Sequence, residues 1–165
     1  MEERRTQHSN HVVGLVISAI IVILIAGGYI LYLRAQSPIR EAHKEAVTIA
    51  RQDANLTRQK GFYWYNRNQI YYTVYGTNKK NQDIYVLISK QGKVRVIPAK
   101  NGINASQAKS LTLKRQHAKK VTHAALGLYK GKLVWELTYY NHNNQLSYDL
   151  IRYKNGNLVK SIQNV

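Results

Sequence analysis

"GFYWYNRNQIYYTVYG", residues 61–76, carries seven rings in sixteen positions: Phe62, Tyr63, Trp64, Tyr65, Tyr71, Tyr72 and Tyr75. Rings at that density either stack on a ligand or build β-sheet. A second stretch, "ALGLYKGKLVWELTYY" at 125–140, bears on the choice. Laying "NQIYYTV" (68–74) on "GKLVWEL" (131–137), an offset of 63, sets Tyr72 on Trp135 and Tyr71 on Val134. A position that accepts Tyr or Trp, and another that accepts Tyr or Val, asks for a large β-former, as sheet packing does. The stretch reads as a β-hairpin with "NRNQ" at its turn, where the second has "YKGK". Alternation puts Tyr71, Thr73 and Tyr75 on one face and Ile70, Tyr72 and Val74 on the other. The second set is expected to pack on a helix. Tyr71 and Tyr75, with Tyr63 or Tyr65, then form a candidate bare patch for a partner. Val134 and Thr138 replace Tyr71 and Tyr75 in the second stretch, so the patch belongs to the first alone.

The same offset extends further. "QDIYVLI" (82–88) falls on "QLSYDLI" (145–151) at 63, and "KQGKV" (90–94) on "KNGNL" (154–158) at 64. Blocks sharing one offset indicate a duplication. In the first copy a helix is expected from Ser37 as N-cap and Pro38 at the first helical position, with Asn55 as its stop. Four strands follow at 62–65, 70–75, 84–89 and 94–97, separated by polar turns with Asn or Gly. In the second copy Asn104 or Ser106 caps a helix reaching about Lys119, followed by strands at 121–129, 133–140, 146–153 and 158–162. The expected class is α+β, each copy one helix on a four-stranded antiparallel sheet. Copies this small bury little surface alone, so they are expected to pack on each other. The connector "PAKNGIN" (98–104) is too short to let them part.

Ahead of the repeat, "VVGLVISAIIVILIAGGYILYL" (12–33) is uncharged over 22 residues. At about 1.5 Å per residue it spans roughly 33 Å, enough to cross a bilayer. The run is long for a signal peptide, and "LRAQSPI" offers no A-x-A-like cleavage site. It reads as an uncleaved anchor. Arg4 and Arg5 on one side against Arg34, Arg40 and Lys44 on the other leave its orientation open. The organisation is a tail at 1–11, a membrane helix at 12–33, and domains at 37–99 and 100–165.

The net charge of +17 sits wholly after the apolar run, where 23 Lys/Arg face six acids. A body so basic is drawn to anionic polymer, lipid or acidic protein. Its densest cluster is "LKRQHAKK" (113–120), where Lys114, Arg115, Lys119 and Lys120 would spread over half a helix and form a second candidate partner surface. With no Cys, disulfides and thiolate chemistry are excluded. His117, His123 and His142 lack metal-ligand spacing, and His8 and His11 flank the anchor. Glu41 with Glu45, or Glu136 with Asp149, are better read as ordinary charges and ion-pair partners than as catalytic pairs. No nucleophile elbow or phosphate loop occurs. No catalytic, cofactor or metal residue is expected, and no enzyme.

Anchor, tandem helix-plus-meander units, basic cysteine-free chain and blocks such as "GLYKGKLVWELTYYN" together resemble the YpmB/TseB-like proteins of Gram-positive bacteria, with two PepSY-like, cystatin-like domains. The resemblance implies a single-pass membrane protein with extracytoplasmic domains that regulates cell-wall elongation through a penicillin-binding protein. It transfers no site residues. The alternatives are an extracytoplasmic module binding anionic wall polymer or peptide, and a peptidase-inhibitory PepSY protein. A nucleic-acid binder would need the body in the cytosol, and nucleic acid is not an expected partner.

Overall fold

The computed structural model describes residues 3–163, with side chains described over 14–32 and 38–163. Readings placed on the side chains of Arg4, Arg5, His8, His11, Val12, Val13, Leu33, Arg34 and Ser37, or on the terminal Asn164 and Val165, lie outside that set.

Helix α1 (Glu3–Asp53) includes a 19-residue stretch, Gly14–Tyr32, long and apolar enough to cross a membrane. Its side chains are exposed throughout. Residues 1–41 form one compact unit and residues 42–165 a second. The expected helix start at Ser37 is not a start. The backbone is helical on both sides of it, with Pro38 inside the helix. The apolar run before Ser37 already supplies helical neighbours, so no cap is required there.

The second unit holds both copies. The first sheet is β1 (Leu56–Asn66), β2 (Ile70–Asn78), β3 (Asp83–Ser89) and β4 (Val94–Pro98), an antiparallel meander in sequence order. After a short 3-10 turn (Ala99–Asn101) comes α2 (Ala105–Gln116). The second sheet is β5 (Lys120–Tyr129), β6 (Lys132–Tyr140), β7 (Leu146–Arg152) and β8 (Leu158–Ile162), again a meander. The fold is α+β, an apolar helix followed by two four-stranded sheets, each with a helix.

The duplication repeats down to turn atoms. Asn78 Oδ1 accepts from the amides of Lys80 and Gln82, and Asn141 Oδ1 accepts from those of Asn143 and Gln145. Asn81 and Asn144 both sit at φ 57, the left-handed region Asn tolerates. The hairpin turns differ. Lys130 and Gly131 make a two-residue turn with φ 48 and 72, the pattern of a type I′ hairpin, whereas residues 67–69 make a three-residue one.

Asn55 ends α1 at φ 52, as its stop role requires. Asn104 caps α2 through a reciprocal pair with Gln107. Helix α2 stops at Gln116, three residues before the expected end, because His117 turns left-handed (φ 46). Strand β1 starts six residues earlier than expected. "LTRQKG" has no apolar alternation, and it is held as strand by pairing with residues 75–78 across two register shifts.

One face of the first sheet meets α1. Val74, Ile84, Val86 and Ile88 pack on Ala46, Val47 and Ala50, with Tyr72 alongside. This is the face expected to take the helix. In the second copy Trp135, fully buried, donates from Nε1 to Ile103 O at 2.8 Å.

Candidate functional site

The other face of the first sheet is not bare. Tyr65, Tyr71, Tyr85 and Leu87 share one core with Ala125, Leu126 and Val134 of the second copy. Among the described residues strand β5 pairs with β6 and no other strand, so its outer edge carries unpaired backbone groups. The first copy covers that edge: Thr73 Oγ1 donates to Leu126 O at 2.8 Å. The Tyr65 ring lies so close to Gly127 that a Cβ there would stand 2.3 Å from its Cγ. Gly127 is therefore a packing requirement rather than a turn residue.

The connector is pinned to the same junction. Tyr153 donates its hydroxyl to Pro98 O at 3.0 Å and Ala99 O at 3.1 Å, while Ile103 N donates to Tyr153 O at 2.8 Å. The Tyr85 ring meets Trp135 and Tyr153 edge-on, with centroids 5.7 and 5.9 Å apart.

Burial sets the titration of these rings. It pushes Tyr153 up to about 12. It does the same to Tyr65, with the Glu136 charge adding to the rise and Arg67 opposing it. Tyr85 is raised by burial and by neighbouring tyrosines. These are neutral packing groups at physiological pH, not proton-transfer groups.

Tyr71, proposed from sequence as partner-facing, is 7% exposed, and its hydroxyl donates to Gln69 Oε1. Tyr75 is half-buried, stacked on Tyr85 and donating to Asp83 Oδ2 at 2.9 Å. Tyr71 lacks the exposure that a bare patch requires and Tyr75 keeps only part of it, because the second copy packs on that face.

The basic cluster does not share a helix face either. Lys114 and Arg115 are on α2, and Arg115 donates to Gly156 O at 3.2 Å. Lys119 lies past the helix end and donates to Asn144 Oδ1 at 2.8 Å, and Lys120 opens β5. All four are exposed.

Glu136 and Asp149 are on opposite faces of the second sheet, since Glu136 pairs with Leu150 and Asp149 with Leu137. Glu136 forms an ion pair with Arg67 of the first copy, and Arg67 also lies over the Tyr148 ring. Asp149 is fully buried and accepts from Ser161 Oγ at 2.7 Å. Of the histidines, His117 caps α2, while His123 and His142 are exposed on β5 and in the β6–β7 turn.

A cleft of about 330 Å³ opens beside the junction, lined among others by Gln69, Tyr71, Leu87, Lys93, Arg95 and Leu128. Sequence reasoning passed over Lys93 and Arg95. The signal was present in "KVRV", where alternation sets Arg95 on the face of Leu87, its partner across β3 and β4.

Residues 45–89 match the cell wall elongation regulator TseB-like domain. The chain is 25% identical over 134 residues to the probable cell wall elongation regulator TseB of Bacillus subtilis, covering 80% of this chain and 83% of that protein. The solved structure of YpmB protein from Bacillus subtilis superposes with a TM-score of 0.64 at 26% identity, covering 74% of this chain and 98% of that one. Its two-sheet fold is the one described here, and in sequence and fold the chain is similar to the TseB/YpmB-like cell wall elongation regulators.

Proposed function

We propose that the chain is a non-enzymatic, membrane-anchored regulator that acts on cell-wall elongation by binding a penicillin-binding protein outside the membrane. The observation that carries the reading is the similarity to a named elongation regulator over four-fifths of the chain. The geometry agrees with it. The buried rings of the two copies are spent on packing, and Asp83, Glu136 and Asp149 are engaged in ion pairs or a buried hydrogen bond, which suits a binding surface better than a reaction centre. The apolar surface of Gly14–Tyr32 is exposed along its whole length, which suits a helix surrounded by lipid. In this reading the helix tethers residues 42–165 beside a membrane-bound synthase and raises their effective concentration there.

The test is a pull-down of the full chain from crosslinked membranes. A penicillin-binding protein should be enriched over a control carrying the apolar helix alone. Equal recovery by both would sink the reading. A reporter fused after Val165 should report the outer side of the membrane, and a cytosolic signal would rule out an extracytoplasmic regulator.

A further inference from the structure

We propose that the cleft between the copies, with Lys93 and Arg95 on its rim, docks an extended acidic segment of the protein partner. This rests on the regulator reading only in taking the ligand from a protein.

Three observations meet on strand β4 and the turn before it. The first is uncompensated charge. Lys93 and Arg95 are exposed and have no hydrogen bond or ion pair from their side chains among the described residues. Of the six acids after the apolar run, none forms an ion pair with Lys93 or Arg95 among the described residues, and Glu45 lines a neighbouring pocket with Ser89, Lys90 and Gly92. Glu41, Glu45 and Asp53 belong to α1, Asp83 is paired with Lys60, Glu136 with Arg67, and Asp149 is buried against Ser161. A guanidinium and an ammonium side by side fit carboxylates, the guanidinium in two-point fashion.

The second observation is the floor. Leu87 and Leu128 line the cleft together with Tyr71, so the cations border an apolar surface supplied by both copies. The third is a free edge. Among the described residues β4 pairs with β3 alone, and Val96 on it is 45% exposed. An extended chain can add to such an edge through backbone hydrogen bonds, with alternate side chains reaching the pocket.

These features fit a peptide that alternates acidic and apolar residues. A polyol phosphate would use the two cations and leave the apolar floor and the backbone edge unused. The site is also particular to the first copy. At the offset of 64, Lys93 and Arg95 become Asn157 and Val159, so the equivalent edge at β8 lacks both charges.

The decisive experiment titrates the full chain in detergent micelles with a fluorescein-labelled peptide of four Glu-Val repeats. Lys93→Glu with Arg95→Glu should weaken binding at least tenfold. Lys79→Glu with Lys80→Glu makes the same charge change in the distant β2–β3 turn and should shift affinity less than threefold. Poly(glycerol phosphate) at equal charge concentration should not displace the peptide. Unchanged affinity in the cleft variant, equal losses in both variants, or displacement by the polymer would each overturn the proposal, the last in favour of a wall-polymer site. Both altered side chains are exposed and unpartnered, so the thermal midpoint should stay within a few degrees. In crosslinked membranes, loss of the penicillin-binding protein from the cleft variant supports the site. Equal recovery by variant and wild type overturns the site and leaves the regulator reading standing. Recovery by neither counts against the regulator reading, and the peptide titration then decides the cleft.

Discussion

The two copies share a meander and a turn, and they differ most on one face. Strand pairing makes the equivalences explicit. In the first copy Tyr63 pairs with Thr73, and Tyr65 with Tyr71; in the second, Ala125 pairs with Glu136, and Gly127 with Val134. Rings in one copy therefore stand where the other has Ala, Gly and Val, and Tyr75 stands where it has Thr138. The Tyr65 ring rests on Gly127, its own counterpart. The duplicated halves have diverged into ring and socket, and the divergence is concentrated where they meet. A symmetric pair of ring-bearing faces would overpack, and a symmetric pair of small ones would leave a void.

The largest effect is expected where the copies differ in burial at equivalent positions. Trp135→Ala should cost about 3–5 kcal/mol, because the ring is fully buried and its N–H is bonded to the connector. Tyr72→Ala, at the matching position but half-buried, should cost clearly less. Chemical denaturation of the full chain in micelles, followed by circular dichroism, measures both. Equal losses would mean that the deeper burial of Trp135 adds nothing to stability over its half-buried counterpart.

The ring and socket come next. Gly127→Val should destabilise by about 3 kcal/mol, since the new side chain meets the Tyr65 ring. Adding Tyr65→Ala should recover at least about 1 kcal/mol relative to the sum of the single changes. Strict additivity would break the proposed complementarity.

A smaller loss is expected from the charge pair that bridges the copies. Glu136→Gln should cost about 2 kcal/mol by leaving the Arg67 guanidinium without its counter-charge at a mostly buried site. Replacing both, Arg67→Met with Glu136→Leu, should fall within about 1 kcal/mol of wild type. A double variant as unstable as Glu136→Gln would show that the pair itself, not the stranded charge, holds the junction.

The smallest effect is in alkali. Tyr65 and Tyr153 titrate near 12 in the fold, and an unfolded tyrosine near 10. A folded-state value above the unfolded one means that their contribution to stability is complete below about pH 10 and is lost as pH rises toward 12. Absorbance of tyrosinate against pH, run beside circular dichroism, should show a late fraction of rings ionising together with loss of the fold. All thirteen tyrosines titrating before unfolding would contradict the buried junction.

Much of this architecture could be read from residues. The shared offset exposed the duplication because turn chemistry and strand alternation are local and survive divergence. The α1-facing side of the first sheet was legible for the same reason: Tyr72 and Val74 alternate with Tyr71 and Thr73. What failed was exposure. Tyr71 and Tyr75 read as a candidate free patch because nothing in a period-2 pattern says what lies beyond the sheet face. The end of α2 was misplaced because "QHAKK" has ordinary helix-forming composition, and only a left-handed His117 ends the helix. Lys93 and Arg95 were overlooked because they are two charges among many until the fold sets them on one cleft.

By itself the sequence determined the apolar helix, the α+β class, the tandem repeat, the basic charge and the lack of thiol chemistry. Each follows from composition, period or spacing, which are properties of the chain. Tertiary structure alone decided which face is covered and which cation is left without a counter-charge. Those depend on residues far apart in sequence, Tyr65 with Gly127 and Arg67 with Glu136, meeting across a junction that no local pattern records.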